Sequence, residues 1–259
     1  STIAAQRAAD DNIELIITAD IGIRDQAAVS LATTHNVDVL ICDHHLPPGS
    51  DVPQGAVVLC PPQKDCDYPN PHLAACGVSL KLAQAMLCEH PRFEQIFNSM
   101  LKLAAIGTVA DMVPLTTAEN RAIVTLGLRE LNEARHGAGL DALLQAANAK
   151  RGQIDEGTIG YQIGPRINAA GRMADAKIVV EMLNCRQPQQ ARELAKRVDT
   201  MNRERKAVQE KLSKQALEQI SEPAPPFVLV AGKESDGWHR GVVGIVASRI
   251  MRSIDSSSE

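Results

Sequence analysis

The run Val39-Leu40-Ile41-Cys42-Asp43-His44-His45 constrains this chain more than any other stretch. Four apolar residues, short and largely aliphatic, suit a buried strand. The acid and the two histidines then fall at that strand's C-terminal end, the edge of an open parallel sheet where connecting loops converge and ligands bind. Imidazole and carboxylate together suit divalent transition metals such as Mn²⁺ or Zn²⁺. A polar loop after a core strand would read the same way. Two further stretches weigh on the choice. Residues 14–20 (Glu14 to Asp20) form a second strand-like run ending on an acid, followed by Ile21-Gly22-Ile23, and residues 104–111 repeat the pattern, ending at Asp111. Asp20, the Asp43-His44-His45 triplet and Asp111 each lie where an apolar segment meets a turn. If the first two strands are parallel neighbours, their acids converge without strain.

The remaining elements follow the same alternation. A helix end over residues 1–10, a strand over 14–20, a helix over 26–34 and the strand over 37–42 make a β-α-β unit with a short crossover, the signature of a parallel sheet. Residues 55–60 give a third strand, closed by Pro61-Pro62, and residues 61–71 a loop rich in Pro, Asp and Asn. Helices are expected over 73–87 and 93–106, from the threonine cap at Thr117 to about Glu133, and over 140–147. Residues 157–172 interrupt this order with Gly157, Gly160, Gly164, Pro165 and Gly171. Within that segment Arg166 and Arg172 offer planar forks suited to phosphate. A structural carboxylate is the competing partner for Arg166. Residues 187–220 read as one long helix starting at Pro188, where proline is tolerated. Residues 186–214 hold nine Lys or Arg against four Asp or Glu, a solvated face or a groove for a polyanion. Ser221 to Pro226 is a linker by composition. Residues 227–230 then start a strand, and residues 241–254 a helix. With a single strand beside it, the apolar face formed by Val242, Val243, Ile245, Val246 and Ile250 is expected to stay largely exposed.

Composition adds limits. Hydrophobic residues make up 44% of the 259, ample for a core, but aromatics are only 2%, so that core must be built from aliphatic side chains. None of the six cysteines forms a Cys-x-x-Cys pair, which argues against a structural zinc site and for a reducing, cytoplasmic compartment. No apolar run approaches the ~20 residues that span a bilayer. The net charge of −4 gives no global sign of nucleic acid, so local patches matter more than the total.

The triplet, with Thr18-Ala19-Asp20-Ile21-Gly22-Ile23 upstream and Gly107-Thr108-Val109-Ala110-Asp111 downstream, resembles the DHH phosphoesterase superfamily. Residues 73–78, 164–172 and 237–249 carry the likeness over nearly the whole chain, and resemble its branch of single-strand-specific 5′→3′ DNA exonucleases. The resemblance implies an α/β fold. A parallel-sheet DHH domain with flanking helices would occupy 1–185, a long connecting helix 186–220, and the start of a second α/β domain, DHHA1, 221–259. It implies hydrolysis of phosphodiester bonds with two Mn²⁺ or Mg²⁺ ions, in DNA repair and recombination. Asp20 would bridge the metals, His44 and Asp111 would complete one of them, His45 would face the scissile phosphate and Asp43 would orient a ligand. Arg166, Asn168, Arg172 and His239 would meet the substrate. The implied partner is single-stranded DNA, with a single-strand-binding protein or a helicase as protein partners, no membrane, and a monomeric state. The superfamily's Asp-x-Asp-x-x-Gly motif has no counterpart before Asp20, and its Ser-Gly-Arg segment has none before residue 259. The chain therefore reads as an internal piece of such an enzyme, expected to be inactive alone. Two alternatives stay open: a DHH phosphoesterase acting on short RNA or nucleotides, and a non-catalytic scaffold derived from the fold.

Overall fold

The computed structural model describes residues 1–49, 51–221, 225 and 227–255. Its elements run α1 (Thr2–Asp10), β1 (Leu15–Ala19), α2 (Gln26–Thr34), β2 (Asp38–Cys42), β3 (Val57–Leu59), α3 (Ala75–Leu87), α4 (Phe93–Ala110), α5 (Ala118–Glu133), α6 (Ala138–Ala146), α7 (Glu156–Thr158), α8 (Gly164–Met173), α9 (Lys177–Asn184), α10 (Pro188–Leu217) and α11 (Arg240–Asp255). Two compact units emerge. The first comprises Ser1–Ala134 with Arg151–Ile159, the second Arg135–Lys150 with Gly160–Glu259.

In the first unit the strands form a parallel sheet in the order β1-β2-β3. Leu15 pairs with Asp38 and Ala19 with Cys42, so β1 and β2 end level. Alternation along β2 divides its side chains between two layers. Val39 and Ile41 join Ala5, Ala8, Val29 and Ala32 on the side of α1 and α2. Leu40 and Cys42 face Leu73, Val78, Leu101 and Ala104 on the side of α3 and α4. The sheet thus lies between helices, as parallel sheets require. On β1, Leu15 and Ile17 remain about half exposed. Helices α4 and α5 pack closely at Gly127, where a Cβ would come within 2.7 Å of the Leu101 carbonyl oxygen.

The second unit is helical, and α10 is its spine. Its inner face buries Ala191, Leu194, Ala195, Val198, Leu212 and Ala216, and α6, α8, α9 and α11 all pack on it. Residues 157–172 do not interrupt the helical order as their glycines suggest. They form α7, a π-helical turn over Ile159–Ile163, and α8 with Pro165 in its first turn. None of these glycines takes a positive φ, and all four lie within helical turns. Helix α9 was not read from the sequence. It buries only Ile178, Val179 and Met182 over its two turns.

Two expectations at the C-terminal end are corrected. Among the described residues, 227–230 form no strand; Phe227 and Leu229 are exposed. The apolar face of α11 is not bare. Val242, Val246 and Ile250 are buried against Leu212 and Ala216 of α10, with Trp238 and Val230 packed around them. The long helix supplies the surface that a sheet was expected to provide. The composition-based linker Ser221 to Pro226 lies largely outside the described residues.

Candidate metal centre

The three acidic positions arrive at one place by different routes. Strand β1 hands its last ladder bond to Asp20, whose N–H donates to the Cys42 carbonyl at 2.9 Å. Asp20 then turns with φ of 67°, a left-handed conformation that Asp tolerates better than most residues. Thr18 Oγ1 donates to the Ile21 carbonyl at 2.7 Å and closes the turn. Gly22 completes it at φ +119°, where a Cβ would stand 2.9 Å from Thr18 Oγ1 and 3.2 Å from Ile41. Strand β2 continues in the same way, with the Asp43 N–H donating to the Leu59 carbonyl at 3.0 Å. Asp111 comes from a helix, not a strand. It caps the C-terminus of α4, where the partial negative charge of the helix end favours a cation, and Met112 at φ 58° reverses the chain after it.

At this junction His44 Nε2 lies 3.1 Å from Asp20 Oδ1 and 3.3 Å from Asp111 Oδ2. Ligand atoms of Asp20, His44 and His45 all fall within 4.8 Å of one another. The His44 and His45 rings meet edge to face, with centroids 4.6 Å apart. Burial raises the Asp20 carboxyl above its ordinary value, and the nearby carboxylates of Asp111 and Asp43 add to the rise against the opposing effect of His44 and His45. Crowded carboxylates around imidazole, in a site where Asp20 remains 62% exposed, form a donor set that fits a hard or borderline divalent cation such as Mn²⁺.

Asp43 does different work. Its carboxylate is 1% exposed. Oδ1 accepts from the His44 N–H at 2.7 Å, the His45 N–H at 3.1 Å and His45 Nδ1 at 2.7 Å, while Oδ2 accepts from the Ile23 N–H at 3.1 Å. Burial alone would raise this carboxyl, but the His45 ring and the three backbone donors outweigh it and hold Asp43 below the usual carboxylate range. Because a carboxylate only accepts, His45 Nδ1 donates, and Nε2 is the ring atom left to meet a ligand.

A polar network that sequence reasoning missed anchors the loops beside the centre. Asn70 Nδ2 donates to Asn120 Oδ1 at 3.0 Å and to Glu119 Oε2 at 3.1 Å. Asn120 Nδ2 donates to the carbonyls of His72 at 2.8 Å and Pro114 at 2.9 Å. Tyr68 donates to Glu119 Oε1 at 2.7 Å, and burial together with that acceptor raises its phenol far above the ordinary value. Asn120 is wholly buried. Its side-chain partners Asn70 and His72 lie about fifty positions away, so no local pattern announces the network. Next to it opens a cleft of about 440 Å³ lined by His44, Leu46, Pro62, Pro71, His72, Val113 and Pro114.

Arg166, Asn168, Arg172 and His239 all belong to the second unit. Arg166 makes the structural pairing: Nε and an Nη each lie 2.9 Å from Asp199 Oδ1, and the other Nη donates to the Gln162 carbonyl of the π-helical turn at 2.7 Å. Arg203 shares Asp199 at 3.3 Å. Arg172 donates to the Gly241 carbonyl at 3.0 Å, and His239 Nδ1 accepts from the Gly241 N–H at 3.1 Å. Asn168 is exposed on α8. No helix among the described residues is long and apolar enough to cross a membrane.

Residues 2–108 match the DHH family, N-terminal domain. The chain is 39% identical over 237 residues to the single-stranded-DNA-specific exonuclease RecJ of Bacillus subtilis (strain 168), covering 92% of this chain and 29% of that protein. To RecJ of Escherichia coli (strain K12) it is 35% identical over 252 residues, covering 92% of this chain and 43% of that one. The chain thus spans less than half the length of these curated relatives. A crystal structure of exonuclease RecJ bound to manganese superposes with a TM-score of 0.79 at 29% identity, covering 96% of this chain and 61% of the other. A structure of RecJ from Thermus thermophilus in complex with Mn²⁺ gives 0.82 at 28% identity, covering 98% and 37%.

Proposed function

We propose, on the premise that residues 2–108 are a DHH-family N-terminal domain, that this chain is part of a single-stranded-DNA-specific 5′→3′ exonuclease of the RecJ kind. The observation that carries the reading is the placement of His44 Nε2 between the Asp20 and Asp111 carboxylates, with His45 beside them. Asp20, His44 and Asp111 would hold a divalent ion, Mn²⁺ or Mg²⁺, and Asp20 would also serve a second. Such ions, when bound, neutralise charge building on the phosphoryl oxygens and lower the pKa of a bound water. Asp43 fixes the His45 ring so that its Nε2 faces the scissile phosphate. Arg172, Asn168 and His239 are the contacts of the second unit to the strand. Arg166 supports their segment through Asp199. The protein acts in the cytoplasm, in DNA repair and recombination.

The test is a nuclease assay of the protein with its natural flanking sequence, with Mn²⁺, on single-stranded DNA, duplex DNA and short RNA. Single-stranded DNA should be degraded from its 5′ end and duplex DNA spared. Asp20→Ala, His44→Ala and Asp111→Ala should each abolish turnover. More than a tenth of the parent kcat in any one of them removes that residue from the ligand set.

A further inference from the structure

The side chains at the centre are not held equally. Asp43 accepts from four donors, one of them the His45 ring, and Asp20 sits in a turn closed by Thr18. Asp111 differs. Its side chain is 42% exposed, and among the described residues its carboxylate meets only His44 Nε2, at 3.3 Å. The carboxylate therefore stands where the main chain puts it.

That main chain has little freedom. Met112 lies in the left-handed region at φ 58°. Val113 precedes a proline, which confines it to extended conformations, and the ring of Pro114 fixes its own φ. Beyond it, the cap and first turn of α5 take up three successive carbonyls. That of Pro114 accepts from Asn120 Nδ2 at 2.9 Å and from Thr117 Oγ1 at 3.4 Å, and those of Leu115 and Thr116 accept from Arg121 at 3.3 and 3.4 Å. Arg121 and Thr117 work in solvent, but Asn120 is wholly buried. Its Nδ2 also donates to the His72 carbonyl at 2.8 Å, and its Oδ1 accepts from Asn70 at 3.0 Å. A buried amide engaged through both its nitrogen and its oxygen cannot rotate without leaving a partner unpaired.

We infer that Asn120 is a positioning residue for the metal centre: through Pro114, Val113 and Met112 it fixes where Asp111 presents its carboxylate to His44 and Asp20. The inference rests on the metal reading above and deepens it. Asn120 touches no ligand itself. A left-handed conformation is uncommon for a residue such as Met112, so a loop released from Asn120 relaxes away from it and carries Asp111 out of place. A divalent ion then binds only the fraction of molecules with Asp111 in position, and its apparent affinity falls by that fraction. The ion once bound meets the same ligands as before.

The experiment is calorimetric titration of Mn²⁺ into the metal-free protein with its natural flanking sequence. Asn120→Ala should weaken Mn²⁺ about tenfold, the lower end of the range for outer partners of metal ligands. Leu131→Ala is the control for lost stability, since Leu131 is wholly buried further along the same helix; it should leave Mn²⁺ affinity within about twofold of the parent. Pro114→Gly keeps the carbonyl, frees φ at an exposed position, and should weaken Mn²⁺ in the same direction. The double variant should bind no more weakly than Asn120→Ala alone, because both changes release one link. In metal-free protein the Met112 amide, bonded to the Val109 carbonyl at 3.2 Å, should exchange with solvent faster in both variants. At saturating Mn²⁺ the nuclease turnover of Asn120→Ala should return to within about twofold of the parent. Parent-like Mn²⁺ affinity in Asn120→Ala and Pro114→Gly overturns the inference, as does an equal loss in Leu131→Ala. Pro114→Gly decides alone if Asn120→Ala does not fold. Unchanged Mn²⁺ affinity in Asp111→Ala removes the metal reading at that residue; a loss there beside parent-like Asn120→Ala and Pro114→Gly removes only the positioning role.

Discussion

At the scale of the residue, the triplet divides into unlike roles. Asp43 is buried and saturated by donors, whereas Asp20 and Asp111 are half open and face His44. An Asp43→Asn protein keeps one acceptor oxygen and turns the other into an NH2 donor, so either the Ile23 N–H or the His44 and His45 donors lose their acceptor. The anionic acceptor that orients His45 Nδ1 is lost in both cases. Outer partners of this kind are worth roughly 10–100-fold in metal affinity or activity, so kcat should drop by at least about tenfold in a Mn²⁺-dependent assay. Near-parent kcat would detach Asp43 from catalysis. Arg166 makes the opposite case. Its guanidinium is already satisfied by Asp199 and the Gln162 carbonyl. Arg166→Ala should lower Tm, and a double-mutant cycle with Asp199→Ala should show coupling of about 1–3 kcal/mol. The log–log salt slope of DNA binding should not change; a slope flatter by about one unit would instead put Arg166 on a phosphate.

Elements differ in how much they depend on neighbours. Ile41 of β2 is fully buried, while Ile17 of the adjacent β1 is 51% exposed. Ile41→Ala should destabilise by about 2–5 kcal/mol, and Ile17→Ala by well under half of that, as read from denaturant midpoints at constant m. Helix α11 is the second case. Its buried stripe, Val242, Val246 and Ile250, packs on α10, so its amides over 241–254 should exchange slowly with solvent. Val246→Asp would place an unpaired charge in that seam and should release the protection. Fast exchange in the parent protein would show that the helix does not hold its place on α10. Helices α6, α8 and α9 pack on α10 and gather with it in the second unit.

For the whole molecule, the net charge of −4 coexists with a proposed polyanionic substrate. Carboxylates crowded at one centre are part of that sign, and a divalent ion there reverses the local field. Mn²⁺ at a hundred times its Kd should stabilise the first unit by about 2.7 kcal/mol through mass action. The gain should appear as slower hydrogen exchange in β1 and β2 and should vanish with a chelator. No change in exchange on adding Mn²⁺ would contradict the metal reading.

The sequence by itself determined the parallel β-α-β unit, because apolar runs of strand length bracket a helix-spaced segment, and it determined which acids and histidines terminate those runs. The meeting of Asp20 with His44 was legible for the same reason: strand ends in a parallel sheet lie side by side, so these two terminal residues are neighbours. Only the tertiary structure decided the rest. That Asp43 turns inward to His45 and that Arg166 closes on Asp199 depend on a partner 33 residues distant or on loop geometry with no periodic signature. The apolar face of α11 looked unpartnered because its cover, Leu212 and Ala216, sits on a helix whose charged composition hid the stripe. Local patterns report the hydrogen bonds that a segment makes with itself; side-chain pairing and helix packing are settled by which surfaces folding brings together.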